Sequence, residues 1–165
     1  MNRFDRISDF LKNAPKRLAD ARELMDSPTV NPSQSDAQIR HLRAAMYLAG
    51  YGVECMLKAY ICDQEECQSL AAAMHKINGQ RASKGLPAIR DIATTSAGHS
   101  VGYMVGLTDL VERNGYDRAL WGRLAKWNSG WRYDHTHVAR ATAEEFISDV
   151  ATALNWLRPA IISQC

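Results

Sequence analysis

Nothing in this 165-residue chain is spaced as a C-x-x-C pair. Its four cysteines are Cys55, Cys62, Cys67 and the terminal Cys165, and no zinc-ribbon spacing occurs among them. Long apolar runs are missing too. The longest, Ala44 to Val53, has ten residues and stops at Glu54, well short of the ~20 needed to span a bilayer, so no membrane helix is expected. The opening Met-Asn-Arg-Phe-Asp-Arg puts charges where a signal peptide would begin its apolar stretch, and Cys165 is misplaced for prenylation. The expected setting is reducing and cytoplasmic. A phosphate-binding glycine loop, a nucleophile elbow and a zinc-protease helix motif are all absent, which removes the commonest enzyme classes. Charge of one sign is scarce: the net charge of +2 announces no nucleic-acid partner by itself.

What is present is an ordinary globular mix, 46% hydrophobic and 23% charged, which argues against a disordered or fibrous chain. At this length one domain, residues 1–165, can bury roughly 70% of its unfolded surface without disulfide or metal staples.

Only five prolines interrupt the chain, at 15, 28, 32, 87 and 159, leaving long stretches where helices can run. The strongest pattern is Ile39, Leu42, Met46, Ala49, Val53, Leu57 and Tyr60, preceded by a Ser35/Gln38 capping box; it predicts a helix over about 36–62. Leu11, Ala14, Leu18, Ala21 and Met25 predict a first helix that starts near Asn13 or runs through Pro15 with a kink. Asp63 and Glu66 resemble a cap for a third helix carrying Leu70, Met74 and Ile77 and stopped by Asn78-Gly79, with a loop over 80–98. Val101 to Val111, ended by Asn114-Gly115, and Leu120 to Trp127, ended near Ser129-Gly130, predict two more. Thr142 with Glu145 opens the last, which buries Phe146, Val150, Leu154 and Leu157. No stretch alternates long enough for a strand. The expected fold is all-α, an antiparallel helical bundle of five or six helices. Ala45, Ala49, Gly50 and Gly52 on the central helix imply a close neighbour, inside the fold or across a dimer, because each mid-helix glycine costs about 0.5–1 kcal/mol relative to alanine.

Chemistry concentrates between Trp127 and His137, where two tryptophans, Arg132, Tyr133, Asp134, His135 and His137 fall within eleven residues. From Arg113 to Arg140 six basic residues stand against Asp117 and Asp134, which fits either a solvated face or a polyanion surface. The segment supports three readings. Its aromatics could plug the open end of the bundle. Asp134, His135 and His137 could ligate a metal, but a lone D-H-x-H cluster arises commonly by chance and no metal or other cofactor is assigned. Finally, Arg132 could hold a phosphate with its donor fork while His137 moves a proton, the pair that metal-free RNA cleavage requires. Five positions apart on a regular helix diverge by about 140°, so this last reading needs a bent or non-helical segment.

The run Ala44-Ala-Met-Tyr-Leu-Ala-Gly-Tyr-Gly-Val-Glu-Cys-Met-Leu-Lys-Ala59, Gly98-His99 opening a helix, and Trp127 to Tyr133 before an amphipathic last helix resemble HEPN domains (higher eukaryotes and prokaryotes nucleotide-binding) over roughly residues 36–158. The resemblance implies an all-helical bundle, usually a homodimer, in which many members are metal-independent endoribonucleases of toxin or antiphage systems. Their signature is an arginine and a histidine separated by four to six residues. Arg132 and His137, with four between, fit it, and two such motifs facing across a dimer would form one cleft. On this reading RNA or a nucleotide is the ligand, and an antitoxin or nucleotidyltransferase the partner protein. Trp127 and Trp131 would hold single-stranded RNA by stacking, with Tyr133 and His135 in support. Tyr133 stands where active members usually carry a small polar residue, so the alternative is a non-catalytic HEPN module serving as a dimeric scaffold for nucleotide, RNA or protein. Glu54 is read as an exposed i, i+4 pair with Lys58, or, within the resemblance, as an acid that orients the arginine or histidine of the cleft. His99 has no catalytic neighbour in sequence and is read as a helix-start residue.

Overall fold

The structure is a computed structural model that describes residues 6–27, 35–92, 95–133 and 138–162, with the backbone only for 35–40, 132, 133 and 162. It is an all-α bundle with six α-helices and no strand among the described residues. The helices are α1 (Ile7–Asp26), α2 (Ser35–Gln64), α3 (Leu70–Ser83), α4 (Val101–Val105), α5 (Arg118–Leu124) and α6 (Arg140–Ile162). Short 3₁₀ turns lie at Ser96–His99, Leu110–Glu112 and Ser129–Tyr133. None of the described helices is long and apolar enough to cross a membrane.

The long α2, about 45 Å from end to end, is the axis of the fold. Its stripe of Leu42, Met46, Ala49, Val53, Leu57 and Tyr60 is buried, as the spacing of three and four requires. Helix α1 runs antiparallel to it, with Phe10 near Cys55 and Arg17 near Tyr51, and passes through Pro15 rather than starting there. Gly52 explains the closeness of this pair: a Cβ there would stand 3.0 Å from the Ala14 carbonyl oxygen. The small residues of α2 therefore serve packing inside the fold. Helix α6 completes the core with Phe146, Val150, Leu154 and Leu157, all buried.

Several boundaries differ from expectation. Helix α2 begins at Ser35, but the side chains of Ser35 and Gln38, and so their capping box, lie outside the described residues. Asp63 continues α2, and the chain then turns at Glu66 in the left-handed region (φ 54°); the cap of α3 is Ser69, whose hydroxyl accepts from the Ala72 amide. Asn78-Gly79 does not stop α3. The Asn78 carboxamide accepts from the Ile89 amide at 2.8 Å, and the helix continues to Ser83 before Gly85, at φ 67°, turns the chain. The loop over 80–98 is thus helical at its start and ends in a 3₁₀ turn. The helix over Val101–Val111 stops at Val105, because the chain reverses through Gly106 to Asp109 and leaves Val111 exposed. Helix α6 starts two residues before Thr142.

Candidate functional site

The tryptophan-rich segment is tied to the middle of the bundle. After α5 the chain places Trp127, 2% exposed, against Gly50 of α2, where a Cβ would come within 2.1 Å of the indole. Tyr47, one turn earlier on α2, stacks on the same indole at 6.3 Å. Asn128 then nucleates the turn, its side-chain oxygen accepting from the Gly130 amide at 2.9 Å. Trp131 follows, half-buried, with Phe146 of α6 at 5.3 Å and the Arg43 guanidinium of α2 5.6 Å from its ring centre. Trp127 therefore plugs the bundle and offers no face for RNA, which corrects its expected stacking role. The bland account of the aromatics holds for it.

Arg132 and Tyr133 follow Trp131 directly, on the backbone of a 3₁₀ turn and not of an α-helix. The side chains of both lie outside the described residues, as do Asp134, His135 and His137 entirely. Among the described residues no group of three metal-ligating side chains occurs.

Beside Trp131 opens a cleft of about 380 Å³ between α2, α5 and α6. Arg43, Lys126 and Arg123 line it with Glu145 and Asp149, together with Met46, Val138 and Phe146. Part of the basic run is spent internally. Arg123 makes a two-pronged bond to Asp149 at 2.6 and 2.8 Å, Arg140 pairs with Glu144 at 2.8 Å, and Arg113 donates to the Tyr60 hydroxyl at 2.6 Å. Lys126 and Arg118 remain exposed.

Glu54 is not the exposed half of a surface pair. It is 1% exposed, with one carboxylate oxygen 2.6 Å from Lys58 Nζ and the other 2.9 Å from His99 Nδ1. The Lys58 pairing is as expected; the burial and the second partner are new. A buried carboxylate must be compensated on both oxygens, and here a helical neighbour supplies one partner and the turn before α4 the other. The signal available in the sequence was that Val53, Met56 and Leu57 surround Glu54 on a helix apolar almost all round. Nothing local could identify His99, 45 residues away.

A second, more enclosed pocket of about 270 Å³ lies between α1 and α2, lined by Asp9, Phe10, Asn13, Arg17, Tyr51 and Cys55. Burial, reinforced by the Glu54 charge, pushes the Cys55 thiol up to about 12, and burial likewise raises the Tyr51 phenol. Neither group is a poised nucleophile.

Comparison with protein-family models, with curated proteins and with solved structures found no match to this chain.

Proposed function

We propose that this chain is a HEPN-type, metal-independent endoribonuclease of the toxin or antiphage kind, in which Arg132 holds the scissile phosphate and His137 transfers a proton. The observation that carries the reading is the placement of the Arg132 turn. It is anchored through Trp127 and Trp131 on the central helix, beside an open cleft that presents Arg43 and Lys126. Phosphate recognition needs cations at an accessible surface, and exposed Lys126 at this cleft supports that reading.

In this reading the protein works in the cytoplasm as a homodimer with two motifs facing one cleft, and an antitoxin or nucleotidyltransferase restrains it. His135 and Tyr133 flank the pair, and Glu54 supports the site from α2. No metal or other cofactor takes part in the proposed chemistry.

The test is cleavage of a labelled RNA pool in EDTA by the wild type, Arg132→Ala and His137→Ala. Activity lost in both variants, with 2',3'-cyclic phosphate ends from the wild type, is the expected result; equal cleavage by all three overturns it.

A second reading has its own support. Tyr133 follows the arginine directly, and Arg113, Arg123 and Arg140 are engaged within the chain. Those features favour a non-catalytic HEPN scaffold that binds nucleotide, RNA or protein. A wild type that cleaves nothing yet shifts an RNA or nucleotide titration selects it.

A further inference from the structure

Helix α2 ends in a turn that brings two cysteines together. The Cys67 amide donates to the Cys62 carbonyl at 2.8 Å and the Glu66 amide to the Asp63 carbonyl at 2.9 Å, with Glu66 in the left-handed region at φ 54°. These are the two bonds and the backbone of a Schellman motif, in which the residues at the ends of the outer bond commonly pack their side chains on each other. Here those residues are Cys62 and Cys67, and neither is in a disulfide. Standard backbone dimensions on either side of the 2.8 Å bond hold their α-carbons at most about 6.7 Å apart. Disulfides join α-carbons roughly 4.4–6.8 Å apart, so the pair is within bridging reach with the backbone where it stands. Cys55, seven residues back on α2, lies about 10 Å along the axis from Cys62 and is too far to bridge.

The two thiols have different surroundings. Cys62 is fully buried in the core, whereas Cys67 is half-buried at its edge. The Cys67 thiol donates to the Glu65 carbonyl oxygen at 3.3 Å, and the Lys76 ammonium donates to the same oxygen at 2.6 Å. The ammonium therefore stands within about 6 Å of the sulfur, a partner for the anion through which thiols react. The Glu65 carboxylate, 3.9 Å from Lys76 Nζ, offsets part of that charge. A reagent from solvent meets Cys67 first. Cys62 is then reached from Cys67, inside the fold, by rotation of the Cys67 side chain away from the Glu65 carbonyl.

We infer that Cys62 and Cys67 form a reversible redox site whose reactant is a peroxide and whose product is an internal disulfide across the end of α2. The Cys67 sulfur attacks one oxygen of hydrogen peroxide and the O–O bond breaks. Cys67 becomes a sulfenic acid, and the other oxygen leaves as water. The Cys62 sulfur then attacks the Cys67 sulfur; the S–S bond forms, the S–O bond breaks, and a second water leaves. Two thiols have given up two electrons and two protons, and the peroxide has taken them. Exchange with a small thiol reverses the bond. The consequence is structural. The turn carries Gln68, whose carbonyl accepts from the Ile7 amide at the start of α1 at 3.1 Å, and Ser69, which caps α3. A disulfide here clasps the point where three helices meet, so oxidation tightens the fold instead of opening it.

The experiment exposes the folded full-length protein to hydrogen peroxide, alkylates the remaining thiols, digests with trypsin and weighs the peptides. Cleavage after Lys58 and Lys76 leaves Cys62 and Cys67 as the only cysteines of the peptide Ala59–Lys76. That peptide is expected to lose two hydrogens, to escape alkylation and to recover both thiols in dithiothreitol, while Cys55 stays reduced. Cys67→Ser abolishes the change, and Cys62→Ala leaves Cys67 as a sulfenic acid that dimedone traps. A second arm equilibrates the native protein, and the chain unfolded in urea, with glutathione redox buffers. The ratio of disulfide to dithiol is expected to be at least tenfold higher in the native protein. Linkage demands the same factor in the folding equilibrium, about 1.4 kcal/mol, read as a higher urea midpoint for the oxidised protein. Both arms use the wild type, so a variant that fails to fold does not remove the test. A peptide that stays reduced, a Cys67 carried on to sulfinic acid or joined to another chain while Cys62 is alkylated, or a ratio below tenfold overturns the inference.

Discussion

The Trp127 indole occupies the space beside Gly50 that a side chain would need, with its Cδ1 and Nε1 each 2.1 Å from where a Cβ would stand. A mid-helix alanine normally gains about 0.5–1 kcal/mol over glycine. Here that gain is outweighed, because the indole is 2% exposed and has no room to retreat. Gly50→Ala is expected to destabilise the protein by about 2 kcal/mol, within the usual range for overpacking. Urea unfolding followed by tryptophan fluorescence measures this. A variant as stable as wild type would show that Trp127 is not wedged against α2. Because the Arg132 turn begins two residues after Trp127, RNA cleavage should fall further than the loss of folded protein accounts for.

Glu54 makes a different kind of contribution. Glu54→Ala leaves Lys58, whose side chain is only 12% exposed, without its counter-charge and removes the acceptor of His99. Breaking a buried pair from one side typically costs about 3–5 kcal/mol, and this site belongs near the lower end because His99 can turn to water. Lys58→Met should cost less than half as much, since the carboxylate keeps His99 and the methylene stem is retained. Denaturant midpoints at pH 7 decide the order; a Lys58→Met cost equal to that of Glu54→Ala would mean that His99 contributes nothing to holding the acid.

The parts of this molecule that local pattern determines were readable, and the parts set by distant contacts were not. The residues expected in α2 at 36–62 occupy 35–64, because a buried stripe at steps of three and four leaves little freedom. Asn78-Gly79 misled because its stop signal is overridden by a bond from Ile89, eleven residues on, which uses the carboxamide without ending the helix. Trp127 and Trp131 looked equivalent in sequence. What separates them is the absence of a side chain at Gly50, a fact about another helix. For Glu54 the sequence showed the lysine four residues away and could not show the histidine.

Cys55 gives the fold a dependence on alkaline pH. Burial raises its thiol from 9.0 to about 12, so between those values the unfolded chain releases a proton that the folded chain retains. Stability is full below about pH 9 and falls as pH rises toward 12, by at most about 1.4 kcal/mol per pH unit from this group. The raised phenols of Tyr51 and Tyr60 act in the same direction from about pH 10. Cys55→Ala should therefore flatten the decline between pH 9 and 10 while lowering stability at pH 7 through its lost packing. Urea midpoints at pH 7, 9 and 10 for the two proteins test this, and parallel declines would assign the alkaline loss to other groups.

Gly98 is the most exacting position in the described structure. Its neighbour is the carbonyl oxygen of Ile92, which is backbone and cannot rotate away, and a Cβ would stand 2.0 Å from it. Ile92 is itself 1% exposed, so the strand of chain on that side is packed as well. Gly98→Ala must push apart the Ser96–His99 turn and the chain before it, and His99 is the next residue. The cost is expected to exceed that of Gly50→Ala, at about 3 kcal/mol, because a side chain can yield a few tenths of an ångström more readily than a peptide group. The displacement should also lengthen the His99 bond to Glu54. The two effects separate by method: calorimetry reports the stability, while the imidazole ¹⁵N shifts of His99 in the folded protein report whether Nδ1 still donates to the carboxylate. A Gly98→Ala protein with wild-type stability would mean that the chain before this turn can move, and that the place of His99 is set by Glu54 instead of by the backbone that carries it.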